Sequence, residues 1–227
     1  MFNTRRDILF TILAGFFVTN AIVGELIGGK LIQVGPFTMS IGIIPWPIVF
    51  LATDVINEYY GKKGVRRLSL MTAAMITYTF IILFAGISVH GSRISPVRDE
   101  QFHAVFGQSM WIIVGSITAF LTSQLVDVLV FWLIRNRTGK KMIWLRATGS
   151  TAISQLIDTF IVTGIAFWLP GKLIFGDFIN TAFTGYSAKL IIAIALTPVI
   201  YLGHAIIHSY LGKELSEQIV EETAKEQ

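Results

Sequence analysis

The strongest constraint on the fold of this chain is a series of apolar stretches, each near the length that crosses a lipid bilayer. They cover residues 8–24, 37–56, 68–89, 111–134, 148–169 and 178–208. A transmembrane helix needs about 20 predominantly apolar residues. Of the 227 residues, 53% are hydrophobic and 14% are charged, a balance that the surface of a soluble domain does not tolerate. The sequence therefore predicts an all-α membrane protein, a six-transmembrane-helix bundle in which residues 1–227 form a single integral membrane domain.

The basic residues between the apolar stretches predict how the helices are oriented. They precede the first stretch, follow the second and separate the fourth from the fifth, at Arg5, Arg6, Lys62, Lys63, Arg66, Arg67, Arg135, Arg137, Lys140, Lys141 and Arg146. Lys and Arg in short loops are retained on the cytoplasmic side. We therefore expect both termini in the cytoplasm, with residues 212–227 as a charged tail. The same asymmetry accounts for the net charge of +4, so that charge does not indicate a nucleic-acid site.

A pentapeptide occurs twice inside the apolar stretches, as Ser-Gln-Leu-Val-Asp at 123–127 and Ser-Gln-Leu-Ile-Asp at 154–158. Carboxylates within a membrane usually face a cavity or a partner and mark a pathway or a binding site. Aligning the two copies relates the fourth stretch to the fifth, and consecutive membrane helices run in opposite directions. The sequence therefore predicts a local inverted repeat, an arrangement that many secondary transporters use to build a site near the midplane.

The polar residues of the fifth stretch share one helical face. Thr151, Ser154, Gln155 and Asp158 recur at spacings of three and four. Asp158 lies about ten residues from the cytoplasmic end of this stretch, which is roughly 15 Å along a helix and close to the midplane. We expect Asp158 to bind a ligand. Asp127 lies nearer the cytoplasmic end of the fourth stretch. At that depth it fits a role in gating, a role in coupling, or pairing with a cytoplasmic Arg or Lys.

The second stretch contains two prolines near its outer part and ends in polar residues. The prolines of Pro45-Trp46-Pro47 remove backbone donors, so we expect an interrupted helix whose free carbonyls face a cavity. Asp54, Asn57 and Glu58 then share a face at spacings of three and four. Glu58 fits either an interfacial position or a gating role.

Two further polar residues fall within apolar stretches. Lys189 follows Tyr186 by one helical turn in the last stretch. If it is buried, its ammonium needs a carboxylate, and Asp158 or Glu25 could supply it; otherwise it extends to the membrane surface. Asn20, in the middle of the first stretch, offers both donors and acceptors to the bundle interior.

Taken in order, these residues form a recurring pattern: Asn20, Pro47-x-x-Phe50-x-x-Thr53-Asp54, Asn57-Glu58-x-Tyr60-Gly61, Ser154-Gln155-x-x-Asp158-Thr159 and Tyr186-x-x-Lys189. The pattern resembles the queuosine-precursor transporter family, also called vitamin uptake transporters, over nearly the whole chain. The resemblance implies import of 7-deazaguanines, the precursors of the modified tRNA base queuosine, across the bacterial inner membrane. The candidates are 7-cyano-7-deazaguanine, 7-aminomethyl-7-deazaguanine and queuine.

The chemistry of such a ligand fits these residue types. A guanine-like edge presents a ring N–H beside an exocyclic amine, and a carboxylate can accept both hydrogens. Amides can read the carbonyl and the ring nitrogens, and aromatic side chains can stack on the ring. The predicted substrate-binding residues are Asp158, Gln155, Asp54, Asn20, Asn57, Gln124, Lys189, Tyr186, Phe50 and Trp46, and the predicted gating or coupling residues are Asp127 and Glu58.

Alternating access by a carrier is the leading interpretation, and two alternatives remain. One is the substrate-binding membrane subunit of an energy-coupling vitamin importer. The other is an intramembrane aspartyl enzyme, which needs two carboxylates close enough to share a proton. The chain has no glycine-rich Lys-Ser/Thr motif, so it does not hydrolyse ATP by that route.

We expect no catalytic residues, cofactor or metal. His204 and His208 lie one helical turn apart, but two histidines without a third convergent ligand are too few to indicate zinc. The expected partners are the lipid bilayer and a nucleobase-like solute. The glycines at 24, 28 and 29 also allow a homodimer through close helix packing.

Overall fold

The computed structural model describes residues 4–35, 37–139 and 142–225. Lys140 and Lys141 of the predicted basic loop, and the last two residues of the predicted tail, lie outside the described residues. In chain order the elements are α1 (Arg5–Ile27), β1 (Leu31–Val34), β2 (Phe37–Ser40), a 3₁₀ turn (Ile41–Ile43), α2 (Trp46–Ser88), α3 (Asp99–Phe106), α4 (Met110–Thr138), α5 (Ile143–Thr163), a π-helical extension of α5 (Gly164–Trp168), α6 (Phe175–Ala195), α7 (Thr197–Leu211) and α8 (Lys213–Lys225).

Long apolar helices dominate the described part of the chain. Five helical segments there are long and apolar enough to cross a membrane, namely Arg5–Ile27, Ile41–Ser88, Asp99–Thr138, Ile143–Trp168 and Phe175–Ala195. The second of them is not one regular helix, because Gly61 within it has φ 67° and ψ −174°. A residue with a Cβ rarely adopts this conformation, whereas glycine does so readily. The chain is a multi-pass, all-α membrane protein, as its composition predicts.

The start of α2 differs from the sequence-based expectation. The apolar stretch 37–56 begins with strand β2, which pairs antiparallel with β1 so that Leu31 lies opposite Ser40. Helix α2 then begins at Trp46, with Pro47 in its first turn. A proline is tolerated there because the first backbone N–H groups of a helix have no partner within the helix. The two prolines therefore mark the start of a helix rather than an interruption within one.

The last apolar stretch is also divided. Residues 178–208 belong to two helices, α6 and α7, which meet at Leu196. Pro198 lies in the first turn of α7, so the break falls just before the proline, as expected from the restriction that proline places on the preceding backbone. The connection between the third and fourth stretches is not wholly irregular, because it contains α3.

Apolar side chains cover the outer faces of the helices as well as the faces that pack against one another. Phe17 and Phe120 are buried in the main core. Phe16, Ile81 and Leu129 point outward with 59%, 59% and 62% of their surface exposed. A monomeric soluble protein rarely exposes so much contiguous apolar surface. This outer face suits contact with lipid.

Helix α8 forms most of the predicted charged tail, and it is packed against the bundle. Ile219 is buried in a small apolar cluster with Val55, Tyr59 and Ile207. The hydroxyl of Thr223 donates to the backbone oxygen of Tyr59 at 3.3 Å. The tail is therefore part of the folded bundle and covers the part of α2 just before Gly61.

Candidate functional site

Helices α4 and α5 bring the two copies of the repeated pentapeptide together. The hydroxyl of Ser123 donates to Asp158 Oδ1 at 3.4 Å, and the hydroxyl of Ser154 donates to Asp127 Oδ1 at 3.1 Å. The serine of each copy therefore contacts the aspartate of the other. Reciprocal contacts of this kind arise when two like motifs meet across an approximate two-fold axis.

Asp158 also joins α5 to α6 through an ion pair. Lys189 Nζ donates to Asp158 Oδ2 at 2.7 Å, and the two side chains are 27% and 19% exposed, respectively. The sequence allowed either Asp158 or Glu25 as the partner of this lysine, and the structure selects Asp158. Glu25 is buried on α1 within electrostatic reach of both charges. Two carboxyl groups therefore lie near Lys189, and Asp158 is the one that pairs with it.

Two glutamine side chains lie close to this ion pair and differ in how well they are hydrogen-bonded. Gln124 Nε2 donates to Thr53 Oγ1 at 3.5 Å, and Gln124 Oε1 accepts from the Ser69 hydroxyl at 3.4 Å. Gln155 Oε1 is buried and has no hydrogen-bond partner within the described residues. Leaving a buried acceptor unpaired is costly. Gln155 is therefore well suited to accept a hydrogen bond from a ligand.

Two small adjoining pockets open between these side chains. The first has no room for a water molecule and is lined by Phe50, Thr53, Ser123, Gln124, Asp127, Thr151, Ser154 and Gln155. The second has room for about one water molecule and is lined by Trp46, Phe50, Phe120, Ser123, Gln124, Gln155, Asp158 and Lys189. Each is smaller than the roughly 300–1,000 Å³ of typical ligand pockets. Binding a purine-sized ligand therefore requires the lining side chains to move apart.

The structure brings some of the predicted site residues to these pockets and leaves others outside. Asp158, Gln155, Gln124, Lys189, Phe50, Trp46 and Asp127 line one or both of them. Asn20 does not, because its amide donates to the backbone oxygen of Phe16 in its own helix at 2.8 Å. Asn57 is fully buried outside both pockets, and Tyr186 lines neither. Asp54 lines a separate pocket beside Thr151.

Glu58 lies in a second, more deeply buried charged cluster. Its Oε1 is 2.9 Å from Arg146 Nη2 and 3.5 Å from Arg135 Nη2, and all three side chains are at most 6% exposed. Arg135 Nη2 also donates to the backbone oxygen of Val220 at 3.0 Å. The cluster therefore ties α2, α4, α5 and α8 together. Glu58 is not an interfacial side chain but the anion at the centre of this network.

Sequence reasoning assigned Arg135 and Arg146 to membrane topology and missed their place in this cluster. A signal for Arg146 is present, because it precedes Ser150 and Ser154 at intervals of four and so extends the polar face of α5. Ser69 was missed as well. Nothing in the local pattern of α2 indicates that it would contact Gln124.

Comparison with known proteins places this arrangement in a family. A family described as "Putative vitamin uptake transporter" matches residues 40–203. A Bacillus subtilis (strain 168) protein named "Probable queuosine precursor transporter" is 33% identical over 166 residues, which cover 71% of this chain and 72% of that protein. A Haemophilus influenzae protein of the same name is 28% identical over 164 residues, covering 70% of this chain and 66% of the relative.

A third relative extends the match. The "Queuosine precursor transporter" of Escherichia coli (strain K12) is 26% identical over 186 residues, covering 80% of this chain and 78% of that protein. No solved structure matches the chain. The region matched by the family contains both copies of the pentapeptide, the Asp158–Lys189 pair and Glu58. These matches confirm the resemblance seen in the motifs: the chain is a membrane transporter that belongs to the vitamin uptake transporter family.

Proposed function

We propose that this protein imports queuosine precursors into the cytoplasm across the bacterial inner membrane. The candidate solutes are 7-cyano-7-deazaguanine, 7-aminomethyl-7-deazaguanine and queuine. The observation that carries the proposal is the pair of adjoining pockets that hold Asp158, Lys189, Gln124 and Gln155 between aromatic side chains. The names of the three relatives support the same class of solute.

The side chains of the pockets match the hydrogen-bonding edge of a 7-deazaguanine. The Asp158 carboxylate accepts from the ring N–H and the exocyclic amine in place of the Lys189 ammonium. Gln155 Oε1 accepts a further donor, and Lys189, once displaced, can donate to the ring carbonyl. Trp46 and Phe50 lie with their rings 6.1 Å apart and inclined by 21°, which offers a flat apolar wall for the ligand.

The proposal includes six membrane spans with both termini in the cytoplasm. The break at Gly61 supports a division of the segment 41–88 into two spans. The side chains of Arg6 and Glu222 approach to 3.8 Å, so both ends of the chain reach the same end of the bundle. The basic residues Arg135 and Arg146 lie at that end too, and such residues favour the cytoplasmic side.

Transport in this proposal proceeds by alternating access around the paired pentapeptides. Their reciprocal serine–aspartate contacts support a local inverted repeat, whose two halves can exchange roles when the site opens to the other side. The Glu58 cluster closes the cytoplasmic end, because it joins α2, α4, α5 and α8 below the pockets. Asp127, which lines the first pocket, lies between this closure and Asp158.

Thermal stabilisation of the purified protein tests the ligand class and the site together. A ligand that binds the folded state at 100 times its Kd adds about 2.7 kcal/mol of stability, so the three 7-deazaguanines are expected to raise Tm. Guanine and unrelated vitamins serve as comparison ligands. Asp158→Asn is expected to lose the stabilisation, whereas Asp177→Asn, which changes an exposed carboxylate at the start of α6, should keep it.

Two results would contradict this proposal. If none of the 7-deazaguanines raises Tm of the wild-type protein, the assigned solute class is wrong. If Asp158→Asn responds as the wild type does, Asp158 is not part of the binding site.

A further inference from the structure

Two carboxylates, one on α2 and one on α4, are buried without a cation of their own. Asp54 is 2% exposed and Asp127 is 5% exposed. Neither forms an ion pair with any side chain in the described part of the protein. One oxygen of each, Asp54 Oδ1 and Asp127 Oδ2, also has no hydrogen-bond partner there. A charged carboxylate in this situation within a membrane is energetically costly.

The surrounding contacts place the two carboxylates near one another. Gln124, three residues before Asp127, donates to Thr53, the residue before Asp54. Thr151 lines both the pocket that contains Asp54 and the pocket that contains Asp127. Asp54 is within electrostatic reach of Asp127. Two like charges at close range resist simultaneous ionisation, so such a pair favours holding a proton.

The other charged groups near Asp54 belong to the Glu58 cluster and form no ion pair with it in the described residues. Asp54 is also within electrostatic reach of Arg146 and Glu58. Arg146 instead binds Glu58 at 2.9 Å, and Glu58 also pairs with Arg135. Asp127 lies beside two neutral hydroxyls, those of Ser150 and Ser154.

The first pocket connects this carboxylate pair to the proposed solute site. Asp127 and Gln155 both line it, and Gln155 Oε1 is a buried acceptor without a partner among the described residues. A ligand that donates to Gln155 from within this pocket lies beside Asp127 and shields it from water. Excluding water favours the neutral, protonated form of a carboxylate.

We propose that Asp54 and Asp127 form a proton-carrying site and that the protein moves a proton together with its solute. This inference rests on the proposed import function, and it identifies the proton gradient as the energy source for import. With the site open to the outside, the pair takes up a proton from water, and solute binding retains that proton. Opening to the cytoplasm hydrates the carboxylates, and the proton leaves to cytoplasmic water as the solute does.

Purified protein reconstituted in liposomes tests the coupling, with labelled 7-cyano-7-deazaguanine as the probe. A pH gradient, alkaline inside, is expected to drive accumulation several-fold above the equilibrium level and to be cancelled by a proton uncoupler. A pH-sensitive dye inside the liposomes should report acidification that depends on the solute. A sodium gradient at equal pH on both sides should drive no accumulation.

Substitutions assign the coupling to the carboxylate pair. The ratio of uptake with the gradient to uptake without it should fall to about one in Asp54→Asn and Asp127→Asn. Glu222→Gln, which changes an exposed carboxylate, should keep the wild-type ratio. If either Asn variant is too unstable to reconstitute, the gradient and dye measurements on the wild type still decide whether transport is coupled to protons.

These measurements distinguish a failure of the proton-coupling proposal from a failure of the import proposal. Exchange of labelled for unlabelled solute needs no gradient, so its absence in the wild type overturns the import function and this inference with it. Exchange that is present but indifferent to the pH gradient overturns the coupling alone. Accumulation driven by sodium would do the same. If both Asn variants still respond to the pH gradient, the carboxylate pair does not carry the coupled proton.

Discussion

At the residue scale, the two ion-paired sites differ in burial and therefore in the ease with which a ligand can displace a partner. Asp158 and Lys189 are 19% and 27% exposed, whereas Glu58 and Arg146 are 6% and 1% exposed. A partly hydrated pair gains little from its own attraction, so a ligand can replace it at small cost. A buried pair left with one member is strongly destabilised. The first arrangement suits binding, and the second suits holding helices together.

Replacing Glu58 by glutamine tests this difference. The change leaves Arg135 and Arg146 buried without their anion, so we expect a loss of about 3–5 kcal/mol in the free energy of unfolding, or roughly 10 °C in Tm. Thermal unfolding in detergent, followed by intrinsic fluorescence, measures the shift. The matched control is Glu222→Gln, whose exposed carboxylate lies 3.8 Å from Arg6. A Tm for Glu58→Gln equal to that of the control would show that the cluster does not stabilise the fold.

At the scale of the element, α2 shows how one residue determines the course of a long helix. Gly61 lies between the polar turn that carries Glu58 and the basic residues at 62–67. Its φ of 67° and ψ of −174° interrupt the helix without a proline. Conformations of this kind are almost confined to glycine. The position of Glu58 relative to Arg146 therefore depends on the backbone three residues further along.

Substituting alanine for Gly61 is expected to cost about 1–3 kcal/mol, because the Cβ is strained in this conformation. Gly15→Ala provides the control, since Gly15 lies within α1 and an added Cβ there meets no atom within 4 Å. That change should leave stability unchanged or raise it by about 0.5–1 kcal/mol. Chemical or thermal unfolding of the two variants side by side measures both effects. Equal stability of the two variants would indicate that α2 tolerates a continuous helix through residue 61.

The elements also show which parts of the structure could be predicted from the sequence. Helical spacing predicted the shared face of Ser154, Gln155 and Asp158, and the need for a counter-ion predicted a carboxylate beside Lys189. Apolar character alone did not separate strand β2 from the helix that follows it. Nor could local periodicity pair Glu58 with an arginine 88 residues away, because that contact depends on how whole helices pack.

At the scale of the whole molecule, the two ends of the chain are fastened to the same end of the bundle. Arg5 Nη1 donates to the backbone oxygen of Tyr210 at 3.3 Å, and Arg6 Nη2 donates to that of Tyr59 at 3.3 Å. The loop that contains α3 joins the other ends of α2 and α4. If both termini are cytoplasmic, this loop must face the outside of the cell.

Single cysteines can test this orientation, because the chain has no cysteine of its own. A membrane-impermeant maleimide added to intact cells is expected to label Ser95→Cys in the exposed loop before α3. It should label Glu217→Cys, on the exposed face of α8, only after the membrane is permeabilised. The two variants serve as controls for one another. The opposite labelling pattern would invert the proposed topology.

The contact between Arg135 and Val220 has a practical consequence for handling the protein. The last helix is held by the side chain that also contacts Glu58, so a load on that helix reaches the charged cluster directly. An affinity tag or fluorescent protein fused after α8 would pull on this attachment. The same label inserted in the exposed segment 91–97 would be separated from it by the length of the bundle. Purification and imaging are therefore best begun with the label in that segment.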